Sequence, residues 1–315
     1  MPYSTRVFAC ADWKGVSVSV PESIALPQAA ISRRSTRLRD AGRLFLESRY
    51  GVIGVALLLV VLMAALFAPL IAPSGPFDIS AAKFIRPGDA AHPLGTDHLG
   101  RDVLSQIVYG ARLSLAVGLV AAGISGIVGV LIGSVAGYYG GWIDLLLGRI
   151  TDMFLIIPAF FLIIVVVATL GSNLLYVMVI IGLTSWPANA RLMRSQALTL
   201  RERTFVQALI ALGESRPRIL TRHIIPNGIQ PIVANSTLQI AGAILLEAGL
   251  SFLGLGDPNQ SSWGRLIYEG RSYIVTAWWP SVFAGIAIVV TVMAFYLIGD
   301  GLAYVLNPRT RKVGS

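Results

Sequence analysis

Four side chains of the types that bind metals fall close together in this chain: His92, Asp97, His98 and Asp102. Imidazole nitrogens and carboxylate oxygens are common zinc ligands, so a metal site could be built from them. The same segment is interrupted by proline and glycine, however, and Asp and His in such segments typically cap turns and helix starts. The second interpretation is the stronger one, and we predict loop structure and no metal site.

Other chemistry has little support in the residues. The sequence contains no G-x-x-x-x-G-K-[ST] phosphate loop, no H-E-x-x-H pair and no Cys/His cluster of metal spacing. Its one cysteine, Cys10, excludes an intramolecular disulfide. We therefore predict no catalytic residue, no enzyme activity and no cofactor bound by this chain. A membrane-embedded enzyme is the weakest of the functions considered.

One ionisable residue stands apart, because Glu247 interrupts the otherwise uncharged segment from 227 to 256. A charged side chain at a helix centre costs about 2.5–3.5 kcal/mol on insertion scales, so such residues face the inside of a helix bundle. Two interpretations stay open for Glu247. It lines a translocation pathway, or it is protonated and hydrogen-bonded between helices.

The composition points to a membrane protein with several spans. Mean hydropathy is +0.72, 55% of residues are hydrophobic and 13% are charged. The net charge of +9 could indicate nucleic acid, but the distribution of the basic residues has a better explanation in membrane topology. We predict contact with membrane lipids and none with nucleic acid.

About 20 apolar residues cross a bilayer as one helix. We predict six spans: 51–72, 113–137, two within 153–190, one within 227–256, and 281–302. Gly171, Ser172 and Asn173 predict a turn between spans three and four. Pro158 and Pro187 then fall inside these two spans and predict kinks. The chain is thus expected to be an all-α membrane protein.

The basic residues orient these spans. With both termini in the cytoplasm, 19 of the 25 Lys and Arg residues lie on the cytoplasmic side. This agrees with the positive-inside rule. The expected organisation is a cytoplasmic tail (1–40), a first helix with an external loop (41–112), a core (113–310) and a cytoplasmic end (311–315).

The segment from 191 to 226 is the most informative one, because it is polar yet carries a helical apolar stripe. Phe205, Ala208, Leu209 and Leu212 recur at the spacing of one helix face. Gly213 predicts the end of that helix. A second short helix is expected from Ser215, ended by Pro226. A short helix with an apolar face in water is suited to docking on another protein.

This segment resembles the E-A-A-x3-G-x9-I-x-L-P loop of bacterial ABC importer permeases. Gln207, Ala208 and Leu209 occupy the first three positions, Gly213 the glycine position, and residues 223–226 the last four, ending in Pro226. Two of the three leading residues depart from the pattern. Without the acid, position 207 lacks the charge, while the glycine and the apolar face are retained.

Further segments narrow the resemblance. They are HPLGTDHLGRD at 92–102, YYGGWID at 138–144, GLSFLGLG at 249–256, WG at 263–264, GDGL at 299–302 and NP at 307–308. In this order they resemble the C-type permease subunit of dipeptide/oligopeptide and nickel ABC importers, over about residues 40–310.

The resemblance implies a type I ABC-importer permease in the bacterial inner membrane, paired with a sister permease and two ABC ATPase subunits. ATP and Mg would be bound by those ATPases, and an extracytoplasmic solute-binding protein would deliver the cargo. The cargo would be short peptides, with nickel, opines or other small solutes as alternatives. An ion-coupled secondary carrier is less favoured, since Glu247 has no charged companion in the spans.

The resemblance also assigns roles to residues. The ATPase-coupling residues would be Phe205, Gln207, Ala208, Leu209, Leu212, Gly213 and Pro226. The residues contacting the binding protein would be His92, Asp97, His98, Arg101, Asp102 and Trp263. Glu247 is the one candidate for the translocation pathway.

Overall fold

The computed structural model describes residues 42–79 and 82–306. The chain divides into two compact units, Met1–Gly42 and Arg43–Ser315. Only Gly42 of the first unit is described. The predicted cytoplasmic tail, the NP motif at 307–308 and the end segment 311–315 lie outside the described residues, and the predicted domain limits stay predictions.

The described residues form helices joined by turns and loops, without a β-strand. The helices are α1 (42–47), α2 (Arg49–Leu66), α3 (Ala68–Ile71), α4 (Val103–Tyr139), α5 (Gly141–Ile156), α6 (Ala159–Leu170), α7 (Leu174–Arg201), α8 (Thr204–Ala211), α9 (Arg216–Ile219), α10 (Ile225–Gly228), α11 (Gln230–Phe252), α12 (Trp263–Gly270) and α13 (Trp279–Leu306). A π-helical turn, Leu220–Ile224, joins α9 to α10, and a 3₁₀ turn, Arg271–Tyr273, follows α12.

Four of the described helices are long and apolar enough to cross a membrane: α2, α4, α11 and α13. They coincide with predicted spans one, two, five and six. The bent pair α5 and α6 would make a fifth crossing if it counts as one span. Span four corresponds to α7, whose second half is polar and carries Arg191 and Arg194. A count of six therefore stays a prediction.

The long uncharged segment from 153 to 190 is divided where the sequence indicates. Gly171 ends α6 with a φ of 93°, and the Asn173 side chain caps α7 by accepting from the Leu175 N–H at 2.9 Å. The predicted turn is confirmed. Pro187 lies inside α7, as expected.

Pro158 behaves differently from the prediction of a kink inside one span. Helix α5 ends at Ile156, α6 begins at Ala159, and the two meet at a bend of 78°. Proline has no N–H to donate, and its ring disfavours a helical conformation at the residue before it. Ile157 is accordingly extended. The segment predicted to hold span three thus contains the end of α5, which begins at Gly141, and the whole of α6.

Small residues bring α4 and α7 together. A Cβ atom built at Gly129 or Gly137 would lie 2.5 Å from atoms of α7, closer than real contacts allow, and Gly133 abuts the carbonyl of Ala190. The glycine spacing in α4 therefore allows close helix packing. These contacts make α4 and α7 a closely packed pair.

The two ends of the bundle differ in content. We call the end formed by residues 72–79, 82–102 and 253–278 the loop end. The opposite end, formed by α8, α9, the π-helical turn and α10, is the coupling end. The Trp279 indole N–H donates to the carbonyl of Thr96 at 3.0 Å, which ties the start of α13 to the first loop.

Candidate functional site

Helix α8 at the coupling end is the first candidate site. It is eight residues long, starts after Arg203 and has no side-chain cap at its start. Isolated helices of this length are marginal in water, so its stability must come from packing. Val206 provides that packing, because its side chain is completely buried.

Val206 belongs to a cluster that joins the coupling end to the long helices. Its buried partners are Val130, Tyr138, Met193, Ala197, Ile219, Leu220, Ile224 and Ile232, and Leu209 packs against them half-buried. The cluster includes residues from the second halves of both α4 and α7. A force applied to α8 would therefore reach the spanning helices through close contacts.

The opposite side of α8 has no cover within the described chain. Phe205 is 42% exposed, Ile210 45% and Leu212, the residue that caps the helix end, 83%, while Ala208 is exposed beside them. The predicted apolar face is thus divided, since Leu209 is turned toward the cluster and the other three predicted members face outward. Ile210, which the spacing argument omitted, joins the exposed group.

Gly213 ends α8 in the way the sequence predicts. Its φ is +82°, a left-handed conformation that glycine adopts without steric cost. The N–H groups of Gly213 and Glu214 then donate to the carbonyls of Ile210 and Leu209, each at 3.0 Å. A Cβ at Gly213 would meet nothing within 4 Å, so only the backbone conformation demands glycine here.

Beyond this turn, Glu214 accepts a hydrogen bond from Arg218 at 2.7 Å, which holds the pKa of the Glu214 carboxyl below its ordinary value. The second short helix starts at Arg216 after Ser215, as predicted.

The expectation that Pro226 breaks this second helix is wrong. The chain remains helical from Arg216 through Gly228, and Pro226 lies in the first turn of α10. The π-helical turn directly before it widens the helix where the proline ring would otherwise collide with a carbonyl. Pro226 therefore lies within the helical connection that leads to α11 and does not end the helix.

Gln207, at the position where the resembled pattern has an acid, has a local role. Its side-chain amide donates to the carbonyl of Arg201 at 2.9 Å. Arg201 is the last residue of α7, where carbonyls lack helix donors. An ionised glutamate has no hydrogen to donate, so this contact is specific to the amide.

The six residues expected to contact a binding protein are mostly inaccessible, which corrects that expectation. His92, Asp97, Arg101, Asp102 and Trp263 are each at most 9% exposed. Only His98 is half-exposed, and its ring stacks on Tyr273 with centroids 5.0 Å apart. Buried side chains cannot reach a partner unless the loop opens.

These buried groups satisfy one another. The Asp102 carboxylate caps α4 by accepting from the Ser105 N–H at 2.7 Å and contacts the His92 ring at 3.0 Å. The Trp263 indole donates to the carbonyl of Ile107 at 2.9 Å. The segment 92–102 is thus held by caps and buried contacts, as the loop interpretation predicts.

Arg101 connects this loop to α12. It donates to Asp97 at 2.6 Å and also to Glu269, whose other oxygen accepts from Arg265 at 2.8 Å. Ligand atoms of Asp97, His98 and Glu269 lie within 4.8 Å of one another. The guanidinium groups of Arg101 and Arg265 together already balance the charges of the Asp97 and Glu269 carboxylates, so the group is an ion-pair network rather than a cation site.

Glu247 is 3% exposed in α11, and one of its oxygens accepts from Ser251 at 2.6 Å. Its other oxygen has no hydrogen-bond partner in the described part of the chain. Ser251 belongs to the same helix, so this contact is not a bond between helices, and the interpretation of a protonated carboxyl bonded between helices stays a prediction. A role in the translocation pathway remains a prediction.

One set of uncharged polar residues was not predicted from the sequence. Ser125, Asn189, Asn235 and Gln239 are hydrogen-bonded to one another between α4, α7 and α11. Their signal in the sequence was the occurrence of amides within apolar segments, which is costly unless the amides are paired.

Comparison with known proteins gives a consistent result. The family of "Binding-protein-dependent transport system inner membrane component" matches residues 129–312, and the "N-terminal TM domain of oligopeptide transport permease C" matches residues 36–87. A Brucella suis protein provisionally named a peptide transport system permease is 40% identical over 95% of this chain and 97% of its own length.

A second relative is the dipeptide transport system permease protein of Alkalihalophilus pseudofirmus, 38% identical over 87% of this chain and 90% of that protein. Among solved structures, a chain of the MetNI methionine ABC transporter in inward-facing conformations superposes with a TM-score of 0.51. That match covers 64% of this chain and 97% of the other at 18% identity, so it shows a shared fold only. The chain belongs to the family of binding-protein-dependent transport system inner membrane components, as a permease of the dipeptide/oligopeptide C type.

Proposed function

We propose that this chain is the membrane permease subunit of an ATP-driven importer that moves short peptides received from an extracytoplasmic binding protein. One observation carries the coupling role: α8 exposes Phe205, Ile210 and Leu212 while Val206 anchors it to the bundle. Apolar side chains that stay uncovered on a firmly packed helix are suited to a partner's groove. The peptide cargo is inferred from the names of the relatives.

The partner at the coupling end would be a pair of ABC ATPase subunits, because the sequence has no phosphate loop of its own. ATP and Mg would be bound by those subunits. The second permease of the complex would be a related chain beside this one. The coupling end would face the cytoplasm, since the seven arginines between 191 and 222 lie in it or in the part of the chain directly before it.

The packing suggests how closure of the ATPases would move the spans. A push on α8 passes through Val206 and Ile219, both completely buried, to the ends of α4 and α7. These two helices are locked by their glycine contacts, so they would turn as one body. The pathway between the two permeases would then open toward one side and close toward the other.

The test is reconstitution of this chain with its sister permease, the ATPase subunits and the binding protein. The first variant is Leu212→Asp, which puts a charge on the exposed face without touching the core, unlike Leu209→Asp. Truncation of an interface hot spot costs about 2 kcal/mol or more, so we expect ATPase capture to weaken about 30-fold. Peptide uptake should fall with it.

The matched control is Val275→Asp. Val275 is 96% exposed at the loop end, so the same chemical change is made on an equally open apolar residue away from the proposed contact. This variant should bind the ATPases as the unmodified chain does. Equal ATPase capture by both variants would refute the docking role of α8.

Cargo is tested in the same vesicles. Labelled dipeptide should accumulate only when ATP and the binding protein are present. Accumulation driven by an ion gradient without ATP would instead support a secondary carrier, and accumulation of nickel but not dipeptide would assign the other cargo.

A further inference from the structure

A groove of about 360 Å³ lies between α7 and α11, on the side of the polar cluster described above. This volume is within the range of about 300–1,000 Å³ typical of small-molecule sites. Ser185, Asn235, Gln239 and Gly242 line it together with aliphatic side chains. The charged residues of the chain are absent from its described lining.

The wall of the groove is built in two layers. The inner layer is Ser125 and Asn189, both completely buried. Asn189 gives its two amide hydrogens to Ser125 and to Gln239, at 3.2 and 2.9 Å, and accepts from Asn235 at 2.9 Å. The Ser125 hydroxyl donates to Gln239 at 2.7 Å. The inner layer has thus used its donors and holds the outer amides in place.

The outer layer keeps unused hydrogen-bonding capacity. The Gln239 side-chain amide donates one N–H to the carbonyl of Ser185 at 3.2 Å, and its second N–H is available to another acceptor. Asn235 donates one N–H to the side-chain oxygen of Asn189, while its own side-chain oxygen has no hydrogen bond among the described residues. Both side chains are partly exposed. The groove therefore presents an acceptor beside donors, all of them uncharged.

Position and space favour a ligand over simple packing. Gln239 is near the middle of α11, a helix apolar enough to cross a membrane, about 14 Å from its start at 1.5 Å per residue. Gly242 is less than one turn further along, and a Cβ there would meet nothing within 4 Å. Unused amide groups at this depth are costly unless something polar visits them.

We propose that this groove, formed by Asn235, Gln239 and Gly242, is part of the peptide path and binds the backbone amide groups of a peptide in transit. The inference rests on the proposed function. A peptide group carries one N–H and one C=O, which match the free oxygen of Asn235 and the free N–H of Gln239. Uncharged contacts of this kind are independent of the peptide's side chains, which suits a carrier of varied peptides.

The chain's single cysteine makes a direct test simple. In a Cys10→Ser parent, Gly242→Cys is compared with Gly285→Cys, a matched glycine in α13 whose Cβ would also meet nothing within 4 Å. The assembled complex is treated with a charged, water-soluble methanethiosulfonate, and modification of this chain is followed by mass spectrometry. Lipid suppresses the reactive thiolate, so we expect Gly242→Cys to react at least about tenfold faster than Gly285→Cys.

Two further readouts bear on the ligand. Dialanine, supplied with the binding protein and ATP, should slow modification at position 242 and leave position 285 unaffected. Modified Gly242→Cys complexes should lose dialanine uptake while still hydrolysing ATP. Equal reaction rates at the two cysteines, or full uptake after modification, would overturn the groove assignment while the parent still imports dialanine. If the parent complex itself fails to import dialanine, the proposed function is wrong and the peptide assignment falls with it.

Discussion

At the loop end one group of charged side chains is buried and internally paired, whereas at the coupling end a group of apolar side chains on one helix is exposed. Asp97 and Arg101 are 2% and 4% accessible and share their charges with Glu269. Leu212 is 83% accessible and Phe205 42%. Both groups reverse the usual distribution, in which charged side chains are exposed and large apolar side chains are buried.

The two reversals have different meanings. A buried charge that is paired within the chain stabilises the fold and has no exposed group with which to bind a second protein. An exposed apolar group on a rigid support leaves an interaction unmade, and a partner can complete it. Resemblance assigned partner contact to residues at both ends. Of the six named at the loop end only His98 is half-exposed, whereas Phe205 and Leu212 at the coupling end are exposed.

The largest effect should come from breaking the loop-end network. Arg101→Met would leave Asp97 and Glu269 without their shared cation, and removing one partner of a buried pair costs about 3–5 kcal/mol. We expect a marked drop in the thermal unfolding temperature of the purified chain in detergent.

The control is Arg191→Met, because the Arg191–Asp152 pair is exposed at both residues and such pairs contribute about 0–1 kcal/mol. If Arg101→Met unfolds like the unmodified chain but no longer binds the solute-binding protein, the contrast between the two ends is wrong.

A smaller effect is expected at the turn that ends α8. Gly213→Val places a β-branched residue in a left-handed conformation, at a cost of about 1–2 kcal/mol. The helix should lose its defined end, and the coupling of ATP hydrolysis to uptake should weaken. Gly213→Asn is the comparison, because asparagine tolerates this conformation. Uptake per ATP hydrolysed should be near normal in the asparagine variant, and an equal loss in both would mean that side-chain contact rather than backbone conformation matters.

The smallest effect should follow Gln207→Glu, which restores the acid of the family pattern. The hydrogen bond to the carbonyl of Arg201 would be lost at a cost of about 0.5–1.5 kcal/mol. We expect slightly lower stability of the isolated chain by thermal unfolding. A more stable variant would show that this position is not used for the α7–α8 connection.

Local signals in the sequence predicted much of the fold. Glycine at 171 and 213 and asparagine at 173 act through short-range backbone preferences, and the long apolar stretches of α2, α4, α11 and α13 act through hydropathy. The prolines were harder. Pro187 lies within α7, Pro158 lies at the break between α5 and α6, and Pro226 follows a π-helical turn. The same residue type has three outcomes because the packing around each proline differs.

The sequence by itself determined that this chain spans a membrane, that it bears a polar segment with a short apolar helix, and that it has no phosphate loop. Only the tertiary structure decided which of its polar side chains have all their hydrogen-bonding groups paired. Arg101 and Glu269 are 168 positions apart, and Asn189 and Gln239 are 50 apart. Residue type indicates only that such groups need partners. Whether they find them, as at the loop end, or keep a free hydrogen-bonding group, as in the groove, depends on which helices the fold brings together.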